Sequence, residues 1–489
     1  MVRAIRFWVL ALLLAMVAVA AGEAGQAGVP PGGTGDGATP SGSPSPAAPP
    51  AGTPPQMPDL FGGPIEKRAK LTGNWAGVRN EMAMKGVIAE LDLTTVFQHQ
   101  AFGGAQSQSV LRGGPGKQED DAELMSLGDI FLVFDMNRTG LWKDGIFKFR
   151  AQGRFGDSAI FRNGSLLPNN VLAFQPTDDI DEEIFDITEF TYTHFIIPKF
   201  ALFGGVMNTL DADLTPFSGN TRGKSDFLHS DLNLSTVSFQ NAPYKTVGGG
   251  FVAMPHQRVT LISTVFNRKE MSGHGPFDRD SYHGVGTATE LYVSHSLFRK
   301  PGGQMFGFNA SCDDALDLAV RPLALIFDAI SSRPPNFPDP VDLAEPQEKK
   351  FSWAITYNAW QYIDVFEGGP PGWSPLMPAS RPSGWGVFLR AAVSDHNPNP
   401  LAWNLSGGFG GNNPARKSDT WGVGAFHRSV SDVLLLERLH LGAETGFEAF
   451  YNAQITPWFH VTADLQYIDT GLPNADNGLV LGLRSKIDF

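Results

Sequence analysis

Cysteine is all but missing: Cys312 stands alone in 489 residues. A lone cysteine excludes an intramolecular disulfide and removes the thiolate clusters of structural zinc. Long apolar runs are scarce too. Beyond the N-terminal two dozen residues no window reaches the ~18–20 consecutive apolar residues of a membrane helix; the best, Leu323 to Ile330, is broken by Asp328. Positive charge is also short. With 37 Lys and Arg against 50 Asp and Glu, the formal net charge is −13, which argues against a nucleic-acid partner. No Gly-x-Ser-x-Gly elbow occurs, so the α/β-hydrolase form of serine catalysis has no support.

What is abundant points to strands and turns. There are 36 Phe, 10 Trp and 55 Gly, while charged residues make up 18%, a composition of the all-β class. The length is large for one ordinary domain and normal for a large barrel. Residues 1–21 read as a secretory signal: Arg3 and Arg6 open it, Phe7 to Val19 form an apolar core, and Ala18-Val19-Ala20-Ala21 offer a cleavage region. A retained anchor is the competing reading, disfavoured by the short core. No Cys follows the cleavage region, which speaks against a lipoprotein. Residues 22–66 are dominated by Pro, Gly, Ala, Ser and Thr and are expected to form a disordered or polyproline-like tether. Residues 67–489 remain as one β domain. An exported chain without membrane helices can live in a membrane only as a closed barrel.

Period-2 alternation recurs along that domain. In Leu479 to Phe489 the odd positions are Leu, Leu, Leu, Ser, Ile and Phe, and the even ones include Arg484, Lys486 and Asp488. Successive side chains of a strand leave opposite faces, so one face is apolar and the other charged. The final Phe489 resembles the signal read by the assembly machinery of outer-membrane barrels. Similar asymmetry occurs in Glu90–Phe97, around Phe147–Gln152, in Trp385–Ser394, and in Phe447–Thr456 and Phe459–Tyr467. The apolar faces often begin or end in Phe, Trp or Tyr, as expected at a lipid–water boundary. A solvated sheet face explains any single strand; a water-filled lumen explains all of them together. Connections alternate between tight, as at Thr456-Pro457-Trp458, and long, as in Arg268–Tyr282 and Ser331–Lys350. Roughly 400 residues at ~45 per hairpin give about 16–18 strands, a size at which an open channel is expected rather than a packed interior. Ahead of them, Leu71 to Gly86 reads as a short helix, with Asn74 as its cap and Gly86 as its end.

Several apparent motifs carry little. Gly219-Asn220-Thr221-Arg222-Gly223-Lys224-Ser225 has one residue too few between its glycines for a phosphate loop. Gly248-Gly249-Gly250-Phe251-Val252-Ala253 is followed two residues later by Pro255, so the helix of a dinucleotide site is absent. His274, Asp278, Asp280 and His283 match no metal-site spacing, and the pair Asp211 and Asp213 is weak support for glycoside hydrolysis. No cofactor and no metal are expected.

Three longer stretches resemble a known family, the OprB-type carbohydrate-selective porins of Gram-negative outer membranes. They are Leu71-Thr72-Gly73-Asn74-Trp75-Ala76-Gly77-Val78-Arg79 through Gly86, Gly384 to Pro400, and above all Glu444 to Ile468 with Tyr451-Asn452-Ala453-Gln454-Ile455-Thr456-Pro457-Trp458. The likeness extends from about residue 68 to Phe489. It implies a transmembrane antiparallel β-barrel of about 16 strands, with a short N-terminal helix, that passes small sugars down their gradient. Departures are the long tether, the stretch Ser331–Lys350, and Ser485 on the lipid-facing side where an apolar residue is usual. By strand parity the lumen-lining, sugar-binding candidates are Glu90, Asp92, Lys148, Arg150, Arg390, Glu448, Asp464, Gln466, Arg484 and Lys486. Arg79 either reaches the lumen or caps the periplasmic mouth. Expected partners are small sugars, outer-membrane lipid and lipopolysaccharide, and the barrel-assembly machinery; the oligomer is a monomer or a trimer. A non-selective general porin, an outer-membrane barrel enzyme acting on lipid or glycan, and a soluble exported sugar-binding β-protein are the competing functions.

Overall fold

The computed structural model describes residues 59, 61–105, 121–158, 162–176, 183–209, 215–219, 221–275, 278, 282–312, 315–316, 348–368, 381–433, 436, 440–473 and 475–489. Residues 1–21, nearly all of the expected tether, most of Ser331–Lys350, and Asp211, Asp213 and Asp280 lie outside them. By contacts the chain divides into Met1–Asp59 and Leu60–Phe489, and the account below concerns the second unit.

Sixteen antiparallel strands close into one barrel. In chain order they are β1 Val87–Ala105, β2 Ala122–Asp135, β3 Gly145–Gly156, β4 Ile184–Ile197, β5 Phe200–Asn208, β6 Lys245–His256, β7 Val259–Asn267 and β8 Val285–Leu297. The second half holds β9 Lys300–Cys312, β10 Ser352–Glu367, β11 Ser383–Ser394, β12 Leu401–Asn412, β13 Thr420–Val430, β14 Glu444–Thr456, β15 Phe459–Asp469 and β16 Ala475–Asp488. Each strand pairs with its sequence neighbours, and β16 returns to β1 in the register Asp92 with Asp488 and Phe97 with Leu483. Closure leaves no unpaired edge, the condition for a sheet in lipid. A two-stranded ribbon, Ala315–Leu316 with Glu348–Lys349, stands in the connection after β9.

The alternation read from the sequence holds in space. Phe447, Tyr451 and Ile455 are exposed on the outside of β14, whereas Glu444, Glu448 and Asn452 are buried inside. Leu481 and Leu483 face out from β16 with Arg484 inside, and Leu389 and Val393 face out from β11 with Arg390 inside. Ser485, the polar exception on the outer face, pairs with Thr95. Thr95 in turn shares a 2.9 Å hydroxyl hydrogen bond with Ser126, so hydroxyls sit beside hydroxyls there.

Tight turns lie at one end of the barrel. Two residues join β4 to β5, β6 to β7, β8 to β9 and β14 to β15, and the long connections lie at the other end. The expected N-terminal helix is present but shorter, Val78–Met84. The Asn74 side chain does not cap it. Instead the chain enters through Trp75, Ala76 and Gly77, all at positive φ, where the left-handed backbone suits glycine and costs the two other residues conformational energy. Gly86, at φ +88, ends the segment as anticipated.

The interior departs from expectation. One half of it is a packed core. Trp360, Tyr362, Phe388, Phe426 and Phe450, all on inward faces of β10 to β14, pack against Phe217, Phe227 and Leu232 of the connection between β5 and β6. The edge-on contact of Phe227 with Phe450, centroids 4.9 Å apart, is a favoured aromatic geometry. A loop able to bury its own apolar anchors folds into the barrel rather than over it.

Candidate functional site

The inward faces of β11 to β16 hold charges that grip inserted loops. Arg390 donates to Ser218 Oγ at 2.6 Å, to the Leu232 carbonyl at 2.8 Å and to the Ser218 carbonyl at 3.0 Å. Glu448 accepts from the amides of Leu228 and His229. Arg484 donates to the carbonyls of Gly223 and Asp226 and lies 3.5 Å from Asp464. Gln466 donates to Asp464 at 3.0 Å and to the Asn169 carbonyl at 3.2 Å. On the other side of the loop, Asp129 takes both Arg150 Nε at 2.9 Å and Lys224 Nζ at 3.0 Å, and Lys224 also reaches Asp92 at 2.7 Å. A second connection, between β3 and β4, is held by Glu444, which accepts from Ser165 Oγ at 2.7 Å and from the Leu166 amide at 2.8 Å. The two loops meet where the Val171 amide donates to the Leu228 carbonyl at 2.8 Å. The phosphate-loop look-alike is thus an anchor: its Thr221 and Gly223 amides cap Asp226 rather than an anion from solution.

At the turn end the helical entry segment and β1 lock onto the end of β16. Arg79, buried, donates to the Phe489 carbonyl at 2.8 Å and to the Ala89 carbonyl at 2.7 Å, with its guanidinium 4.7 Å from the Phe61 ring and 4.9 Å from Trp75. Burial lowers the Arg79 pKa, against the carboxylates of Glu90 and Asp488. Lys70 pairs with Glu90, and Lys486 lies 2.7 Å from Asp488. The Phe489 amide donates to Leu91 at 2.9 Å. Of the two placements expected for Arg79, the structure gives the mouth.

Between the loop and strands β3 to β10 a cavity of about 370 Å³ remains. Among the described residues its charged lining is Lys148, Glu189 and Glu290, joined by Thr191, Tyr292, Phe239, Phe308 and Asn309. Lys148 and Glu189 approach to 3.8 Å, and the Tyr292 hydroxyl donates to Glu290 at 2.8 Å. Of the eleven residues singled out by parity and motif, Lys148 alone lines this cavity. Arg150, Arg390, Glu448, Asp464, Gln466 and Arg484 face inward but are covered, and Asp92 is partly covered. Glu90 and Lys486 lie beside the mouth. Glu189, Glu290, Tyr292 and Phe239 were not anticipated. Glu189 escaped because a β-bulge at Thr188 opposite Arg150 and Ala151 resets the alternation.

His229, buried in the inserted loop, stacks on Phe426 with centroids 3.8 Å apart. Burial, and secondarily Arg428, push its pKa well below the usual imidazole range. Around it stand Asp231 at 3.8 Å and Arg428, which pairs with Asp231 at 3.2 Å and with Glu444. A histidine kept neutral in the seated loop contributes stability that is complete above its free value, about 6.5, and that falls as pH drops below it. Acidification from pH 7.5 to 4.5 is therefore expected to increase open-level noise in planar bilayers. His229→Phe keeps the ring stack and should flatten that dependence; an equal rise in both proteins would exclude His229 as its source.

A family model described as the carbohydrate-selective porin, OprB family, matches residues 129–489. Among solved structures the chain is similar to the high-pH structure of Pseudomonas putida OprB, with 17% identity and a TM-score of 0.67 over 87% of this chain and 99% of that one. It is also similar to the low-pH structure of the same protein, with 14% identity and a TM-score of 0.48 over 87% and 99%. No curated protein matches.

Proposed function

The chain belongs to the OprB family of carbohydrate-selective porins, and on that premise we propose that sugars cross through the chamber beside the inserted loop, touching Lys148, Glu189, Glu290 and Tyr292. Family and fold are those of a sugar-selective outer-membrane porin, a channel rather than an enzyme. The observation that carries the proposed path is the chamber lining. A neutral sugar presents hydroxyls that both donate and accept, and a C–H face that suits aromatic rings. Lys148 donates, the two glutamates accept, and Phe239 and Tyr292 offer rings. The volume falls in the range of about 300–1,000 Å³ usual for small-molecule sites, while the mixed lining gives contacts weak enough for release.

In liposomes, glucose flux is expected to saturate and to exceed that of a size-matched zwitterion. Equal, unsaturable fluxes would reduce the protein to a general porin. We also propose residues 1–21 as a secretory signal, 22–66 as a disordered tether, and outer-membrane lipid, lipopolysaccharide and the assembly machinery as partners, Phe489 being the residue the machinery reads. Deleting Phe489 removes both the terminal side chain and the acceptor of Arg79. The heat-modifiable folded form recovered from outer membranes should then fall about tenfold, as loss of a buried charged hydrogen bond predicts; an undiminished yield would show that the last residue is dispensable.

A further inference from the structure

The tight-turn rim carries four exposed cations without an ion pair among the described residues. Lys143 stands between β2 and β3, Lys199 between β4 and β5, Arg258 between β6 and β7, and Arg299 between β8 and β9. All four are exposed, and among the described residues none has an ion-pair partner. These four turns follow one another around the barrel, so the charges form an arc over half of the rim. The opposite end is acidic in sequence: the connection 157–183 holds six acids and one base.

Beside the cations stand exposed apolar side chains. Leu141 and Trp142 precede Lys143, Ile196 and Ile197 precede Lys199, and Leu297 and Phe298 precede Arg299; all six are exposed. Phe298 is the extreme case, 94% exposed. It and Arg299 make a two-residue turn with φ of 52° and 63°, the left-handed pair that Asn-Gly normally fills. A phenylalanine in that conformation is disfavoured locally, and the chain buries almost none of it.

We infer that this arc is a binding collar for anionic phospholipids of the periplasmic leaflet, the apolar residues entering the head-group boundary and the cations meeting the phosphates. The inference rests on the reading of the chain as an outer-membrane barrel, whose short turns face the periplasm. Apolar residues next to cations at the water boundary match a lipid surface chemically, one part for acyl chain and one for phosphate. An acidic periplasmic protein could meet the cations, but it would not require exposed apolar residues at three of the four turns.

The test uses the full-length protein in phosphatidylcholine vesicles, with spin-labelled phosphatidylglycerol or phosphatidylcholine as probe. The wild type should favour phosphatidylglycerol by about fivefold or more, the size one cation near an anionic surface provides, and salt should weaken the preference. The combined variant Lys143→Gln, Lys199→Gln, Arg258→Gln, Arg299→Gln should bring the ratio near one. Replacing the turn by Phe298→Asn with Arg299→Gly should raise the melting temperature while lowering the ratio, so a folding defect cannot imitate the result. A wild-type ratio near one, which would leave the rim to a protein partner, overturns the collar, as does a ratio unmoved by the four substitutions. Glucose flux in the same vesicles should be unaffected by all of these changes, so failure of the collar and failure of the sugar path are read separately.

Discussion

Arg390→Ala is expected to raise single-channel conductance severalfold and to abolish saturation of sugar flux, without unfolding the barrel. The side chain is fully buried and makes three hydrogen bonds to two points of the inserted loop, Ser218 and Leu232. Truncation removes charge-assisted hydrogen bonds worth about 1.5–3 kcal/mol each, while the Ser218 carbonyl keeps Thr215 and the Leu232 carbonyl keeps the Ser218 hydroxyl as donors. The loop, still bonded within itself but no longer tied to β11, leaves its seat, which joins the space it occupied to the chamber. The ladder of β11 with β10 and β12 does not use the Arg390 side chain, so the heat-modifiable barrel should persist. Arg390→Lys is a graded control, because an ammonium cannot reproduce the guanidinium fork. Phe227→Ala attacks the same seat from its apolar side, where loss of a buried ring costs about 3–5 kcal/mol, and should move conductance the same way. Unchanged conductance together with saturable flux in both variants would mean that the loop is held by something else.

That the same strand residues looked like lumen lining in the sequence and prove to be loop anchors has a physical cause. Period-2 alternation reports the face of a side chain, and it reported the faces of β11, β14, β15 and β16 correctly because both faces of those strands are chemically pure. Phe388 and Phe450 on inward faces and Ser485 on an outer face are the exceptions to that purity, and alternation cannot report what covers a face. Phe217, Phe227 and Leu232, which decide the covering, lie in an aperiodic connection where only their apolarity, in a stretch otherwise rich in polar residues, hints at burial. Phe388 appeared among polar residues on the inward face of its strand, and that exception was the trace of the core. In β8, Glu290 and Tyr292 alternate with Thr289, Leu291 and Val293, but the outward threonine weakens the contrast. In β4 the bulge at Thr188 moves Glu189 to the inner face, against strict parity from Asp186. Arg79 was placed by a motif rather than by period, and its partner, the end of the chain, lies 410 positions away.

Lys148→Glu should invert the ion preference of the pore. Lys148 is the one cation lining the chamber among the described residues, facing Glu189 and Glu290. At 3.8 Å from Glu189 it offsets one of the two carboxylates. Its charge is half-exposed, so its worth to stability is small, yet it sits where a permeating ion must pass. Reversal leaves three carboxylates facing one another, the arrangement that cation-selective pores use. Reversal potentials in a KCl gradient should shift toward cations, with the permeability ratio of K⁺ over Cl⁻ rising on the order of tenfold, as follows from turning an attractive charge at close range into a repulsive one in a partly desolvated site. Glucose, being neutral, feels the change only through the lost donor. Its half-saturation concentration should rise a few-fold, by about the 0.5–1.5 kcal/mol of one hydrogen bond, while maximal flux stays near the wild-type value. Lys148→Gln separates the two effects, since the amide can still donate: ion preference should move part of the way and sugar saturation hardly at all. A reversal potential that ignores Lys148→Glu would place the path of the ions, and with it the path of the sugar, somewhere other than beside the inserted loop.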